Sequence, residues 1–164
     1  MKEIQRALDI LAKTTEVIAN FLMVSLFVVV NLGVFSRYIF LSPFYWTEEL
    51  ALFILAWMVF LAGSQVIRKW ENVRVTFFID KLPSMLSSLV DIFLKFLVLS
   101  FLFYAAVLAV EVIPKVGPTE IATALGISML LPQMSLVVGL VLMVIQAAGI
   151  TLEAVVALAG KGRA

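Results

Sequence analysis

The sequence contains neither cysteine nor histidine. Without cysteine there is no thiol nucleophile and no disulfide framework. Without histidine there is no imidazole ligand for zinc or haem. No glycine-rich phosphate loop and no nucleophile elbow appears in it. Charge is also scarce: charged residues are 14% of the 164 positions, against 63% hydrophobic. A soluble domain of this size needs far more charge to solvate its surface. What remains is an all-α integral membrane protein. At 18.1 kDa there is no room for a separate soluble domain, so 1–164 reads as a single membrane domain. It calls for a lipid bilayer around it, and for no nucleic-acid partner.

Four apolar runs define the expected transmembrane helices, at about 17–40, 48–67, 85–113 and 131–156. The first is apolar apart from Asn20, Ser25, Asn31, Ser36 and Arg37. Charges continue from Lys2 to Glu16 before it begins, unlike a cleavable signal peptide, so this span is expected to stay in the protein. Pro43 stops the first helix, and Thr47 ahead of Glu48 and Glu49 reads as an N-cap with acidic residues in the first turn. Between the second and third runs, 68–82 mixes charged and apolar residues and is expected at the membrane surface, with Pro83 in the first turn of the next helix. A second interfacial segment is expected at 119–126, as a short helix ended by Gly126.

The basic residues sort by side. Lys2, Arg6, Lys13, Arg68, Lys69, Arg74, Lys81, Lys161 and Arg163 fall at one end of the spans, nine in all, while Arg37 and Lys115 fall at the other. The positive-inside rule then places both termini and the middle loop in the cytoplasm.

The densest polar cluster is Arg37, Tyr38, Trp46, Thr47, Glu48 and Glu49, bracketing the first turn. An arginine and two glutamates at membrane depth are costly unless paired. The expectation is a desolvated ion pair of Arg37 with Glu48 or Glu49 that clamps the hairpin. Tyr38 and Trp46 would be interface anchors, and the same cluster is a candidate subunit contact. Gln65 is placed to bond a neighbouring helix. Asp91 and Lys95, four residues apart, share a helix face and can neutralise each other. Ala105 and Ala109 give a small-xxx-small spacing that permits close helix approach. The spans otherwise show almost no polar groups at mid-membrane and no repeat. No catalytic, cofactor-binding or metal-binding residue stands out, so an enzyme is not expected.

The pieces Arg37-Tyr38, Trp46-Thr-Glu-Glu-Leu50, Phe53 to Phe60, Arg68-Lys69 and Asp80-Lys-Leu-Pro83 occur in that order, followed by Ala124-Leu-Gly-Ile-Ser-Met129 and Pro132. Together they resemble the small membrane subunit of tripartite ATP-independent periplasmic (TRAP) transporters, over about 17–156. Where that family often has Gly, His and Asp after the second span, this chain has Trp70, Asn72 and Thr76. The resemblance implies a multi-pass protein of the bacterial inner membrane, in the unfused form. Its implied role is a scaffold subunit for a large multi-span permease, which receives an organic acid of the dicarboxylate or sialic-acid class from a periplasmic substrate-binding protein. Sodium coupling would reside in the permease, and this subunit would need no cofactor. The competing expectation is a self-sufficient four-span exporter or channel that oligomerises.

Overall fold

Each apolar run becomes one long helix. The computed structural model describes residues 2–69, 84–117 and 120–161. Its helices are α1 (Lys2–Tyr38), α2 (Trp46–Arg68), α3 (Ser84–Val116) and α4 (Leu130–Lys161), all long and apolar enough to cross a membrane. Among the described residues there is no strand beyond one isolated bridge, between Ile121 and Ser128. The fold is therefore the all-α, four-helix membrane architecture expected from the runs. The surface segment expected at 68–82, and Pro83, fall almost wholly outside the described residues.

Helix α1 starts fifteen residues before the apolar run, at Lys2 rather than near 17. At 1.5 Å per residue its 37 residues span about 55 Å, nearly twice a bilayer's hydrocarbon core. The first dozen residues therefore run on beyond the lipid. They are rich in Ala, Leu, Lys, Arg, Glu and Gln, which are good helix formers. Tertiary packing fixes this extension as well. Leu8 is buried against Gly149 of α4, where an added Cβ would lie 2.3 Å from Leu8 Cδ1.

The helices pack in the order α1, α2, α4, α3, with α1 and α3 at the edges. Lipid tails are as apolar as leucine, so packing and polar contacts, not water exclusion, hold such helices together. On α3 the row Leu102, Ala106, Ala109 and Ile113 seats against Leu140 and Ala147 of α4. Ala109 is part of this contact as its spacing implied; Ala105 lies beside it, and Ala106 takes the buried place. The α2–α4 crossing is tighter still. A Cβ on Gly139 would stand 2.4 Å from Phe60 Cβ and 2.9 Å from the Phe60 carbonyl oxygen.

Two local expectations are corrected. Thr47 does not cap α2: the helix begins at Trp46, its N-cap Tyr45 makes no side-chain bond, and the Thr47 hydroxyl donates back to the Phe44 carbonyl at 2.6 Å. Thr47 is instead buried against Gly33 of α1, which brings the two arms of the hairpin together. The helix expected at 119–126 does not form over its described residues, 120–126. The Ala122 amide donates to Ile127 O at 2.9 Å, the Gly126 amide donates to Ala122 O at 2.8 Å, and Gly126 takes φ +66°. That left-handed glycine reverses the chain into a tight loop and leaves the amides of Ala124 and Leu125 pointing outward.

Candidate functional site

The polar side chains gather at two ends of the helices. One end carries the α1–α2 hairpin and the loop residues 120–129; the other carries the start of α1, the start of α3 and the end of α4. On α2, twenty residues separate Glu48 from Arg68, about 30 Å of helix and the thickness of a hydrocarbon core.

At the hairpin end, Arg37 Nη2 lies 2.6 Å from Glu48 Oε1. Their side chains are 58% and 73% exposed, so the chain's own fold leaves the pair open and does not bury it as a clamp. It borders a cavity of about 690 Å³ lined by Tyr38, Phe44, Tyr45 and Pro43. Phe44 and Trp46 stack with ring centroids 6.0 Å apart. Tyr38 is 73% exposed and Trp46 39%. Glu49 has a different partner. Its carboxylate accepts the Ala124 and Leu125 amides at 2.9–3.0 Å and the Thr123 hydroxyl at 3.0 Å. One acidic side chain thus ties the second loop to the first turn of α2.

At the other end the contacts reach across three helices. Arg68 of α2 donates through Nε to Asp9 of α1 at 2.9 Å and through Nη1 to Glu153 of α4 at 2.8 Å. The Arg68 side chain is 14% exposed. Nearby, Gln146 of α4 is fully buried, and its Nε2 donates to the Leu8 carbonyl of α1 at 3.0 Å. Ser64 of α2 and Thr15 of α1, both buried, meet at 3.4 Å. Gln65 is half-buried, and its backbone carbonyl accepts the Lys69 amide at 2.9 Å. Asp91 and Lys95 form an ion pair at 2.7 Å, with side chains 15% and 12% exposed, beside Ala154, Ala157 and Leu158 of α4.

Sequence reasoning missed Glu153, Gln146, Ser64 and Thr15. A signal was present for the first two: a carboxylate and an amide inside the fourth apolar run. Such residues in membrane helices usually face other helices. These side chains make chemistry between helices. Among the described residues no group of acidic side chains converges as a metal site.

The model for the DctQ component of tripartite ATP-independent periplasmic transporters matches residues 26–157. Over 81 residues the chain is 31% identical to a sialic acid TRAP transporter small permease protein, SiaQ, of Vibrio cholerae, covering 49% of this chain and 47% of that protein. Over 86 residues it is 29% identical to a sialic acid TRAP transporter permease protein, SiaT, of Haemophilus influenzae, covering 52% of this chain and 14% of that protein. The matches thus span about half or less of each relative. The family match, together with four helices able to span a bilayer, identifies the chain as a multi-pass transport protein of the inner membrane that belongs to the DctQ-component family of TRAP transporters.

Proposed function

We propose that this chain is the scaffold subunit of a sodium-coupled, binding-protein-dependent transporter for organic acids. It pairs with a large permease and sits with both termini in the cytoplasm. The carrying observation is where its polar groups go. Arg68, Asp9, Glu153, Gln146, Ser64 and Thr15 bond helix to helix, which leaves them engaged in assembly. The outward faces of the edge helices are broadly apolar, with Phe21 and Phe27 on α1 and Phe101 and Phe103 on α3 all more than 60% exposed. Such a layer suits a place beside another membrane protein.

The relatives support the partner and the substrate class. One is named a small permease protein and the other a permease protein, both for sialic acid. In the second, the stretch similar to this chain is 14% of a single polypeptide, so most of that permease lies outside it. Sialic acid is thereby the first substrate to try, with dicarboxylates as the comparison. Sodium coupling and the delivering periplasmic protein follow from the resemblance to TRAP transporters.

The test is co-purification. A tagged chain co-expressed with the multi-span permease encoded beside it is expected to yield a stable complex of the two in mild detergent. Recovery of the tagged chain only as a homo-oligomer would replace this reading with the self-sufficient exporter or channel.

A further inference from the structure

The cavity beside Arg37 has an ordered lining. All of it comes from α1, the turn and α2, between Val30 and Ala51, and no described residue of α3 or α4 closes it. The polar residues stand at the rim: Arg37 and Tyr38 on α1, Tyr45 in the turn and Glu48 on α2. The apolar residues lie deeper. Val34 is one turn below Arg37, Val30 is two turns below, and Ala51 is nearly one turn below Glu48. At 1.5 Å per residue the lining runs about 10 Å from the rim into the apolar span. Val30 and Val34 are exposed, so this deeper part lies open to acyl chains.

The rim charges are only partly used. Among the described residues Arg37 donates to Glu48 alone, through Nη2, which leaves donors on its other nitrogens. Glu48 accepts through Oε1, and its second oxygen has no hydrogen-bond partner among the described residues. A ligand that brings an anion to Arg37 and a cation to Glu48 completes both without breaking the pair. An arginine fork binds phosphate through parallel hydrogen bonds. A carboxylate binds an ammonium, and the exposed rings of Tyr38, Phe44 and Tyr45 at the rim add attraction for a cation. The turn beneath these rings is braced. The Ser36 hydroxyl donates to the Gly33 carbonyl at 2.8 Å and accepts the Phe44 amide at 3.2 Å, and Thr47 holds the Phe44 carbonyl at 2.6 Å. The site is thus formed before a ligand arrives, which lowers the cost of ordering it.

We propose that this cavity binds one phospholipid with a zwitterionic headgroup, of the phosphatidylethanolamine class. Its phosphate sits on Arg37, its ammonium at Glu48 among the rim rings, and one acyl chain along Val30, Val34 and Ala51. The apolar depth selects a lipid over a free headgroup molecule, which has nothing to place there. The paired charges select a zwitterion over phosphatidylglycerol, whose headgroup brings a negative charge beside Glu48 and no cation. The exposed hairpin end thereby gains a lipid-specific anchor at headgroup depth. The inference goes beyond the scaffold reading and does not rest on it.

The test is native mass spectrometry of the full chain, released from nanodiscs that hold phosphatidylethanolamine and phosphatidylglycerol in equal amounts with the same acyl chains. One lipid is expected to stay bound, with phosphatidylethanolamine retained about tenfold over phosphatidylglycerol. Arg37→Ala is expected to lower retention of either lipid about tenfold, at an unchanged yield of folded chain. Glu48→Gln is expected to remove the preference between the two lipids while keeping most of the retention. Val34→Trp fills the apolar floor and is expected to reduce retention with both rim charges in place. Equal retention of the two lipids by the unsubstituted chain means an unspecific lipid shell and overturns the inference. Unchanged retention in Arg37→Ala overturns it as well. Displacement of the lipid by free phosphoethanolamine assigns the site to a soluble zwitterion, and loss of the lipid on co-purification with the permease assigns the cavity to that protein; either overturns it.

Discussion

Arg37 and Arg68 stand near opposite ends of the same helical hairpin, and each is bonded to carboxylate. Arg37 reaches one glutamate, eleven residues away, and keeps 58% of its side chain exposed. Arg68 reaches Asp9 and Glu153, 59 and 85 residues away, and keeps 14%. The first pair joins neighbours that a short turn already holds together. The second joins three helices that nothing local brings together. An exposed pair gains little over hydration, whereas removing one partner of a desolvated group leaves the other charge stranded. The comparison says that the end carrying Arg68 stabilises the tertiary arrangement, and that the hairpin end shapes a surface.

Arg68→Ala tests this most severely, because it strands Glu153 and removes the charged link between α1 and α4, leaving the Leu8 contacts with Gln146 and Gly149. The expected loss is about 2–4 kcal/mol, below the full cost for a deeply buried pair because Asp9 is largely exposed, read as denaturant unfolding in detergent. Arg68→Lys keeps the charge but loses the fork that bonds two carboxylates at once, and is expected to recover only part of the loss. Lys95→Met takes the Lys95 ammonium from Asp91 in a half-closed site and is expected to cost about 1–3 kcal/mol, and adding Asp91→Leu is expected to recover part of that loss. A double variant that costs as much as the two single variants added together would mean that the pair is not coupled.

At the hairpin end the effects become local. Glu49→Ala is expected to raise hydrogen exchange at the Ala124 and Leu125 amides about tenfold or more, with global unfolding little changed. Unchanged exchange there would show that the loop holds its shape without Glu49. Arg37→Ala is expected to cost no more than about 1 kcal/mol. A cost matching that of Arg68→Ala would erase the distinction between the two ends.

The four helices were legible because charge-free runs of bilayer length are their own signal. The Arg37–Glu48 pair was legible because Pro43 and the short turn force the ends of α1 and α2 together. The Arg68 contacts were not. Each partner lies on a different helix, and only the packing of α1 and α4 around α2 brings them to one place. Gln146 was hidden for the same reason: its partner is a backbone carbonyl of α1, which no side-chain pattern announces. The reading of 119–126 as a helix failed because Glu49, seventy-odd residues earlier, draws two of its amides outward while Gly126 turns the chain back.

The central claim is that this chain supports transport by another protein and performs none by itself. Its most direct test is sodium-driven uptake of radiolabelled sialic acid into proteoliposomes. One set holds this chain alone and the other holds it with the permease, each supplied with the substrate-binding protein. The account predicts uptake in the second set only, abolished when the sodium gradient is collapsed. Uptake by the chain alone, at a rate matching that of the pair, would contradict it.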